Sequence, residues 1–215
     1  MRLEAAFYAQ SADVAAPGLL GKLICRRLGR KVVRLRITET EAYCGEADTA
    51  CHARRGRTAR TAVMYEAGGR TYVYLCYGMH EMLNIVTGPE GSPEAVLVRG
   101  VEGHGGPGRL TRALDITRAL NRENLLESKR LWIEDDGSSP PFIASPRIGI
   151  AYASVEDRAR LWRFTVCEGG GRDCVRAELL KKKRAEGVSY EVCVNIHESG
   201  ERLTQPRTPD SELMR

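Results

Sequence analysis

The sequence predicts a single α+β domain in which strands outnumber helices, and three observations support this. The length of 215 residues fits one ordinary domain with a sizeable core. Segments with apolar residues at every second position recur along the chain, and one of them turns back around a glycine in the pattern of a β-hairpin. Apolar residues at helical spacing are confined to short stretches.

The N-terminal part of the chain predicts a short helix followed by two strands. The helix can start at residues 11–13, and Pro17 and Gly18 should kink it or end it early. Residues 22–43 have the alternation and composition of two strands, with a turn near Gly29.

The second of these strands carries acids where a core face is expected. The period of two puts six side chains on one predicted face: Val33, Leu35, Ile37, Glu39, Glu41 and Tyr43. A core-facing carboxylate is costly unless it is paired or its pKa rises. For Glu39 the favoured interpretation is an ion pair with an arginine. Glu41 lies beside a ring near the strand end, where a partly desolvated carboxylate can act as a general base.

Residues 70–86, RTYVYLCYGMHEMLNIV, predict a β-hairpin with its turn around Gly78. Tyr72 and Tyr74 share a face of its first strand, whereas Tyr77 has the opposite parity and falls at the bend. Core packing explains a large ring at an exposed tip poorly. Such a ring is suited to insertion between the base steps of DNA.

The later segments predict further strands and one helix. Residues 94–101, 146–153 and 162–169 have the composition of strands, and residues 108–114 have apolar side chains at helical spacing. The run GGGR at residues 169–172 is the candidate linker. We therefore predict a domain over residues 1–168 and a basic C-terminal extension over residues 169–215, with a helix, a strand and a disordered tail.

Charge and cysteine usage limit the classes of function. The net charge is +5, residues 15–38 contain no acid, and a second basic stretch comprises Arg54, Arg55, Arg57 and Arg60. Carboxylates flanked by guanidinium groups indicate a reactive centre that faces a polyanion. Seven cysteines without a CxxC pair indicate reduced thiols. With no long apolar run and no signal-peptide pattern, we expect an intracellular protein with no membrane partner.

The loop after Tyr43 holds His52, and a single histidine is more often structural than catalytic. Metal binding by Glu41, Asp48 and His52 is a weak alternative because no spaced ligand motif supports it. Three rival functions stay open on the residues alone. They are a reader of modified bases without catalysis, a metal-dependent nuclease using Glu39, Glu41 and Asp48, and a basic RNA-binding domain.

Five motifs occur in order between residues 7 and 168: ETEAY, H-x-R-x-G-R-T, YVYLCYGMHEMLNIV, AVLVRG and GPGRLTRAL. In this order and spacing they resemble the alkyladenine DNA glycosylase family, the 3-methyladenine glycosylases of mammalian and bacterial type. The resemblance implies a curved antiparallel sheet flanked by helices, a protruding β-hairpin, and no metal or organic cofactor. It also implies a monomer that flips alkylated or deaminated purines out of damaged double-stranded DNA and hydrolyses the N-glycosidic bond, leaving an abasic site.

The resemblance carries roles onto individual residues. Glu41 corresponds to the base that activates water, Arg99 to an arginine that helps to hold that water, and the backbone carbonyl near Ile148 to a further contact. Tyr77 matches the ring that fills the gap in the duplex, and Asn84 the side chain that collides with the amine of normal guanine. The residues that sandwich or hydrogen-bond the extruded base are Tyr43, His52 and Tyr74.

The sequence departs from the bacterial pattern at three places. Ala59 and Thr61 replace a proline and an asparagine, and Pro17 with Gly18 interrupts a helix. No lysine occurs between Lys31 and Lys129, which favours hydrolysis by water over a Schiff-base mechanism. The implied location is the nucleoid in the cytoplasm of a prokaryote, or the nucleus of a eukaryote.

Overall fold

A computed structural model describes residues 1–167, which fold into one α+β unit around a curled antiparallel sheet. The predicted linker and C-terminal extension lie outside the described residues, so that domain boundary stays a prediction. Helices are short: α1 (Ala5–Tyr8), α2 (Ala12–Leu19), α3 (Pro107–Ala113) and α4 (Val155–Ala159). Three 3₁₀ turns add His52–Arg55, Ala62–Tyr65 and Arg118–Leu120.

Nine strands form the sheet within residues 1–167, and all their pairings are antiparallel. The strands are β1 (Leu23–Leu28), β2 (Lys31–Cys44), β3 (Thr71–Cys76), β4 (His80–Thr87), β5 (Glu94–Val101), β6 (His104–Gly105), β7 (Leu131–Glu134), β8 (Phe142–Ser145) and β9 (Arg163–Val166). Six lie side by side in the order β3-β4-β5-β2-β1-β7, while β6 pairs with β5, and β9 pairs with both β2 and β8.

Most sequence-based elements are confirmed, but the strand expected at residues 146–153 is wrong. That segment is a loop, and the strand β8 precedes it. Gly149 has φ 78°, and the guanidinium of Arg147 is drawn inward to Asp48, so the backbone cannot continue the extended ladder. The sequence does not predict the strands β6, β7 and β8 or the helices α1 and α4.

Helix α2 packs on strand β2 and continues through Pro17 to Leu19, so the proline does not end it early. Pro17 cannot donate a backbone hydrogen bond, but the chain keeps its helical course for two residues beyond it. At Gly18 a Cβ atom would lie 3.1 Å from the Phe7 ring, so the glycine permits a close contact between α2 and α1. The helix therefore accommodates Pro17 and Gly18, the residues that depart from the family pattern.

The long strand β2 changes its core-facing side part way along. Ile37 and the two apolar residues that alternate before it belong to the main core or pack on it, as the period of two predicts. Further along, Ala42 belongs to the same core, and the Thr40 hydroxyl donates to the Ala16 carbonyl at 2.9 Å. Since Ile37 and Ala42 differ in parity, the strand has shifted by one residue between them.

A β-bulge causes this shift. The register between β2 and β5 is irregular between Ile37 and Glu39 and again between Glu39 and Thr40. One extra residue turns the rest of the strand to the opposite face. At Gly100 on β5 a Cβ atom would lie 3.1 Å from the Thr38 hydroxyl, so the bulge needs a small residue there. The prediction of one shared face is therefore wrong for the set Val33, Leu35, Ile37, Glu39, Glu41 and Tyr43.

Two further findings concern the cysteines and the length of the helices. Cys25, Cys44, Cys51 and Cys76 are free thiols, but Cys167 is disulfide-bonded, so the expectation of reduced thiols throughout is wrong at that position. An odd number of cysteines excludes a complete pairing and does not forbid a single bond. No helix within residues 1–167 has the length and apolar character needed to cross a bilayer.

Candidate active site

Glu41 is fully buried on the face of β2 that turns away from the main core after the bulge. Its Oε1 accepts the amide hydrogen of Ile148 at 2.9 Å, and its Oε2 accepts the hydroxyl hydrogen of Tyr43 at 2.9 Å. Arg99 on β5 brings Nη1 to 3.4 Å from Oε1. Burial raises the pKa of Glu41, while Arg99 and these two hydrogen bonds oppose that rise. The result is a desolvated carboxylate held on both oxygens.

Glu39 is paired with arginines, as the sequence indicated. Its Oε1 lies 3.0 Å from Nε of Arg99 and 3.3 Å from Nη1 of Arg163 on β9. Arg99 thus bridges the two acids, with Nε on Glu39 and Nη1 on Glu41. The bulge brings both carboxylates to one guanidinium and separates them from the apolar core.

A cavity of about 330 Å³, counted out to its open mouth, lies beside this cluster. Glu41 does not line this cavity. Tyr43 does, and its hydroxyl is hydrogen-bonded to the Glu41 carboxylate, so Tyr43 connects that carboxylate to the cavity. Three predicted base contacts and Asn84 do line it. The full lining comprises Tyr43, Ala50, Cys51, His52, Met64, Tyr72, Tyr74, Asn84, Ala95 and Tyr152.

His52 is held in the wall of this cavity by neighbouring tyrosines. Its Nδ1 lies 2.9 Å from the Tyr72 hydroxyl, which also accepts a hydrogen bond from Nε of Arg60 at 3.1 Å. The imidazole meets the Tyr74 ring edge-on, with centroids 4.7 Å apart. Burial, with the charges of Arg60 and Arg54, lowers the pKa of His52 to about 4. The imidazole is therefore uncharged at neutral pH.

Asn84 is buried on β4, directly across from Tyr72 on β3. Its side-chain amide donates to the Tyr72 carbonyl at 3.0 Å. The sheet therefore fixes the orientation of Asn84 at the cavity floor. A fixed amide can exclude a ligand group by its position alone.

The hairpin turn presents Tyr77 to solvent. Tyr77 is 88% exposed, and its φ of 50° is followed by Gly78 at 71°, as in type I′ turns. Left-handed backbone is unfavourable for a bulky residue, at roughly 1–3 kcal/mol. Core packing does not repay this cost, because the ring is exposed.

The four arginines of the second basic stretch are exposed, and three of them stack on tyrosine rings. Arg54 lies over Tyr152 at 5.1 Å, and Arg60 lies over Tyr74 at 4.8 Å. Both rings line the cavity. The remaining basic residues are Arg57, which stacks on Tyr65, and Arg55. Within the loop that carries these arginines, the Thr61 hydroxyl accepts the amide hydrogen of Thr58 at 2.9 Å.

Sequence reasoning missed Arg147, a fully buried guanidinium behind Tyr43. It forms a two-point ion pair with Asp48, with Nη1 to Oδ2 at 2.5 Å and Nη2 to Oδ1 at 2.9 Å. Its guanidinium carbon lies 4.9 Å from both the Tyr43 and the Trp162 ring centroids. The only sequence signal is an arginine inside an otherwise apolar segment that has the composition of a strand.

The acids and His52 do not converge as metal ligands. Asp48 is occupied by Arg147 and by the amides of Cys44 and Ala50, at 3.1 and 3.0 Å. Within the described chain no group of three or more His, Cys, Asp or Glu side chains could hold a metal ion.

Comparison with known proteins places this architecture in a family. The family model described as "Methylpurine-DNA glycosylase (MPG)" matches residues 6–105 and 103–169. A relative from Psychrobacter cryohalolentis is 44% identical over 68% of this chain and 84% of its own length. Relatives from Methanocella arvoryzae and Borreliella afzelii are 44% and 42% identical over 74% of this chain, and over 88% and 93% of their own lengths. Each bears the name "Putative 3-methyladenine DNA glycosylase". The chain belongs to the methylpurine-DNA glycosylase family.

Proposed function

We propose that the protein is a 3-methyladenine DNA glycosylase that removes alkylated purines, and deaminated purines such as hypoxanthine, from double-stranded DNA. It hydrolyses the N-glycosidic bond and leaves an abasic site. Family membership and the names of the relatives support the reaction class. The observation that carries the mechanism is the fully buried Glu41 carboxylate, hydrogen-bonded to a tyrosine of an aromatic cavity.

The lesion must leave the duplex before the bond can be attacked. A stacked purine hides its glycosidic bond, and rotating the nucleotide out costs a few kcal/mol. The aromatic cavity formed by Tyr43, His52 and Tyr74 receives the extruded base, and aromatic stacking returns about 1–3 kcal/mol per base. Damaged bases that pair or stack poorly cost less to extrude, which favours their capture over that of normal bases.

Glu41 acts as the general base in the hydrolysis. Its Oε1 is held by Ile148 and Arg99, and Oε2 shares one hydrogen bond with Tyr43, which leaves Oε2 capacity to accept a hydrogen from water. The water oxygen bonds to the anomeric carbon as the bond to the purine nitrogen breaks, and Glu41 takes the proton. The carboxylate also stabilises the positive charge that develops on the sugar.

Arg99 and the backbone carbonyl of Ile148 provide further contacts to the water. Arg99 reaches Glu41 from β5, so it can orient a water bound next to that carboxylate. Ile148 lies in the loop whose amide already contacts Oε1, and this proximity supports a role for its carbonyl. Two contacts besides the base would fix the direction of attack.

The cavity selects bases through fixed polar groups. Asn84 excludes normal guanine by collision with the exocyclic amine, and hypoxanthine, which lacks that amine, is admitted. The Tyr72 hydroxyl accepts from Arg60, so it can donate its own hydrogen to Nδ1 of the uncharged His52. That arrangement leaves the hydrogen on Nε2 of His52 available to a bound base. Alkylated purines such as 3-methyladenine carry positive charge and need no protonation to leave.

The test is incubation of the protein with duplexes that contain 3-methyladenine or hypoxanthine, in EDTA, with an undamaged duplex as control. We expect free base and alkali-labile strands from the damaged duplexes alone. Strand cleavage that requires magnesium would instead favour the metal-dependent nuclease. Lesion binding without base release would favour the non-catalytic reader.

Tyr77 occupies the gap that the extruded nucleotide leaves in the duplex. We expect Tyr77→Ala to weaken binding of lesion-containing duplex by about 5- to 150-fold, from a lost stacking energy of about 1–3 kcal/mol. The single-turnover excision rate at saturating enzyme should change less. Fluorescence anisotropy with labelled duplex measures the affinity. Tyr77→Phe keeps the ring and should bind like the parent, and equal affinity of Tyr77→Ala and the parent would count against this role.

A further inference from the structure

Besides the ion pair with Arg99, two hydrogen bonds hold the Glu41 carboxylate, and the donors of both adjoin Arg147. The Tyr43 ring, whose hydroxyl donates to Oε2, has Arg147 at 4.9 Å from its centroid. The amide that donates to Oε1 belongs to Ile148, the residue that follows Arg147 in the chain. Arg147 therefore contacts one donor through its side chain and adjoins the other through its backbone.

Arg147 is anchored to three separate parts of the fold. Its Nη1 donates to the Ala42 carbonyl of β2 at 2.9 Å, and both terminal nitrogens bind Asp48 in the loop that follows β2. Its Nη2 donates to the Asp157 carbonyl in α4 at 3.3 Å. The Trp162 ring lies 4.9 Å away and, with Tyr43, provides the two aromatic contacts of the guanidinium. A buried planar group with these contacts has little freedom to move.

We propose that Arg147, held by Asp48, is a positioning residue that sets the Tyr43 hydroxyl and the Ile148 amide against the Glu41 carboxylate. This inference rests on the proposed role of Glu41 as the general base. Arg147 contacts neither the extruded purine nor the reacting atoms, and it acts by fixing the two hydrogen-bond donors. Lysine cannot replace it, because an ammonium group lacks the planar two-point geometry that binds Asp48 and stacks on Tyr43.

The inference predicts a change in pH dependence that general loosening of the fold would not produce. The charged and titratable groups that face Glu41 are Arg99 from β5 and Glu39 and Tyr43 from its own strand, with Arg163 of β9 behind Glu39. The Tyr43 and Ile148 hydrogen bonds lower the pKa of Glu41 against the effect of burial. Weakening these bonds raises that pKa, so a variant should lose activity at a higher pH than the parent as the pH falls.

The experiment measures single-turnover release of 3-methyladenine from duplex DNA as a function of pH, with enzyme in excess. This lesion is already charged, so its departure needs no general acid and the profile reports the base. We expect Arg147→Lys to lower the plateau rate by about 10- to 100-fold, because a misplacement of about 1 Å can cost about a hundredfold. The pH at which the rate of this variant falls to half of its plateau, its acid-side midpoint, should also be higher than in the parent. Asp48→Asn should shift both quantities in the same direction by less.

The matched control is Arg160→Lys, which changes a second arginine that stacks on Trp162, at 4.6 Å, and pairs with an aspartate. It should keep the parental midpoint. In the double variant with Tyr43→Phe, the effect of Arg147→Lys should be smaller than in the parent, because the Tyr43 contribution is already absent. If Arg147→Lys does not fold, the near-isosteric Asp48→Asn decides.

The outcomes separate this inference from the proposed function. Parental rates for Glu41→Gln would overturn the general-base mechanism itself. An inactive Glu41→Gln, together with a parental rate and midpoint in the folded Arg147 and Asp48 variants, would overturn the positioning role alone. A reduced amplitude with an unmoved midpoint would also overturn it, since that pattern means a smaller folded fraction.

Discussion

Glu41→Gln is expected to bind lesion-containing duplex like the parent and to lose about 10²- to 10⁴-fold in the rate of base excision. Glutamine has nearly the same shape, and its carbonyl oxygen can still accept a hydrogen bond from Tyr43 or Ile148, but an amide cannot take a proton from water. Single-turnover excision with enzyme in excess measures the chemical step, and anisotropy measures binding. A near-normal single-turnover rate would defeat the assignment.

The pH dependence of the parent provides a second measure of the same group. Burial raises the pKa of Glu41, and the base acts in its ionised form. Activity toward a charged lesion should therefore be full above this raised pKa and should fall as the pH decreases through it. Glu41→Gln has no carboxylate at this position, so its residual rate should lack this acid-side decline.

Glu39→Gln is the matched control, since it makes the same chemical change two residues earlier on the strand. Glu39 is paired with Arg99 and Arg163, so its loss should lower the free energy of unfolding by about 1–3 kcal/mol and leave chemistry largely intact. Urea denaturation measures this change. A purely catalytic defect with unchanged stability would mean that the roles of the two acids are reversed.

Asp48→Ala is expected to destabilise the protein by about 3–5 kcal/mol, because it leaves Arg147 buried without its partner charge. The two side chains are 1% and 0% exposed, so solvent cannot replace the lost contacts. The change also removes the acceptor for the amides of Cys44 and Ala50. We expect a clear decrease in the urea midpoint.

The Arg36–Asp136 pair offers a surface control for this experiment. Its atoms lie 2.8 Å apart, but the side chains are 34% and 39% exposed. Asp136→Ala should leave the urea midpoint close to that of the parent, because solvent screens and replaces the interaction. Equal midpoints for Asp48→Ala and Asp136→Ala would contradict the importance of the buried pair.

Local patterns in the sequence predicted much of the fold. The hairpin around Gly78, the strands β1, β2, β5 and β9, and the helix α3 each carry a periodicity or turn residue within their own segment. Tyr72 and Tyr74 on β3 both line the cavity, as their shared face predicts, since a strand directs alternate side chains to one side. The pairing of Glu39 with arginine followed from the cost of burying a charge.

The faces of β2 were decided by the tertiary structure. The sequence shows acids on the expected core face from Glu39 onward, but no glycine or proline within β2 indicates a bulge there. The irregularity arises from the pairing with β5, where Gly100 allows the close approach. That pairing turns the acids away from the apolar core and toward Arg99.

By itself, the sequence determined the strands β1 to β5 and β9 and the short run that carries the candidate base, because these depend on neighbours in the chain. Only the tertiary structure decided that Arg147 lies behind Tyr43 and pairs with Asp48, a residue 99 positions away. A segment such as PRIGIAYA has the composition of a strand, and its arginine could equally have faced solvent. No local pattern encodes the long-range ion pair with Asp48 or the stacking on the aromatic rings. These contacts determine the path of the segment and its position beside Glu41.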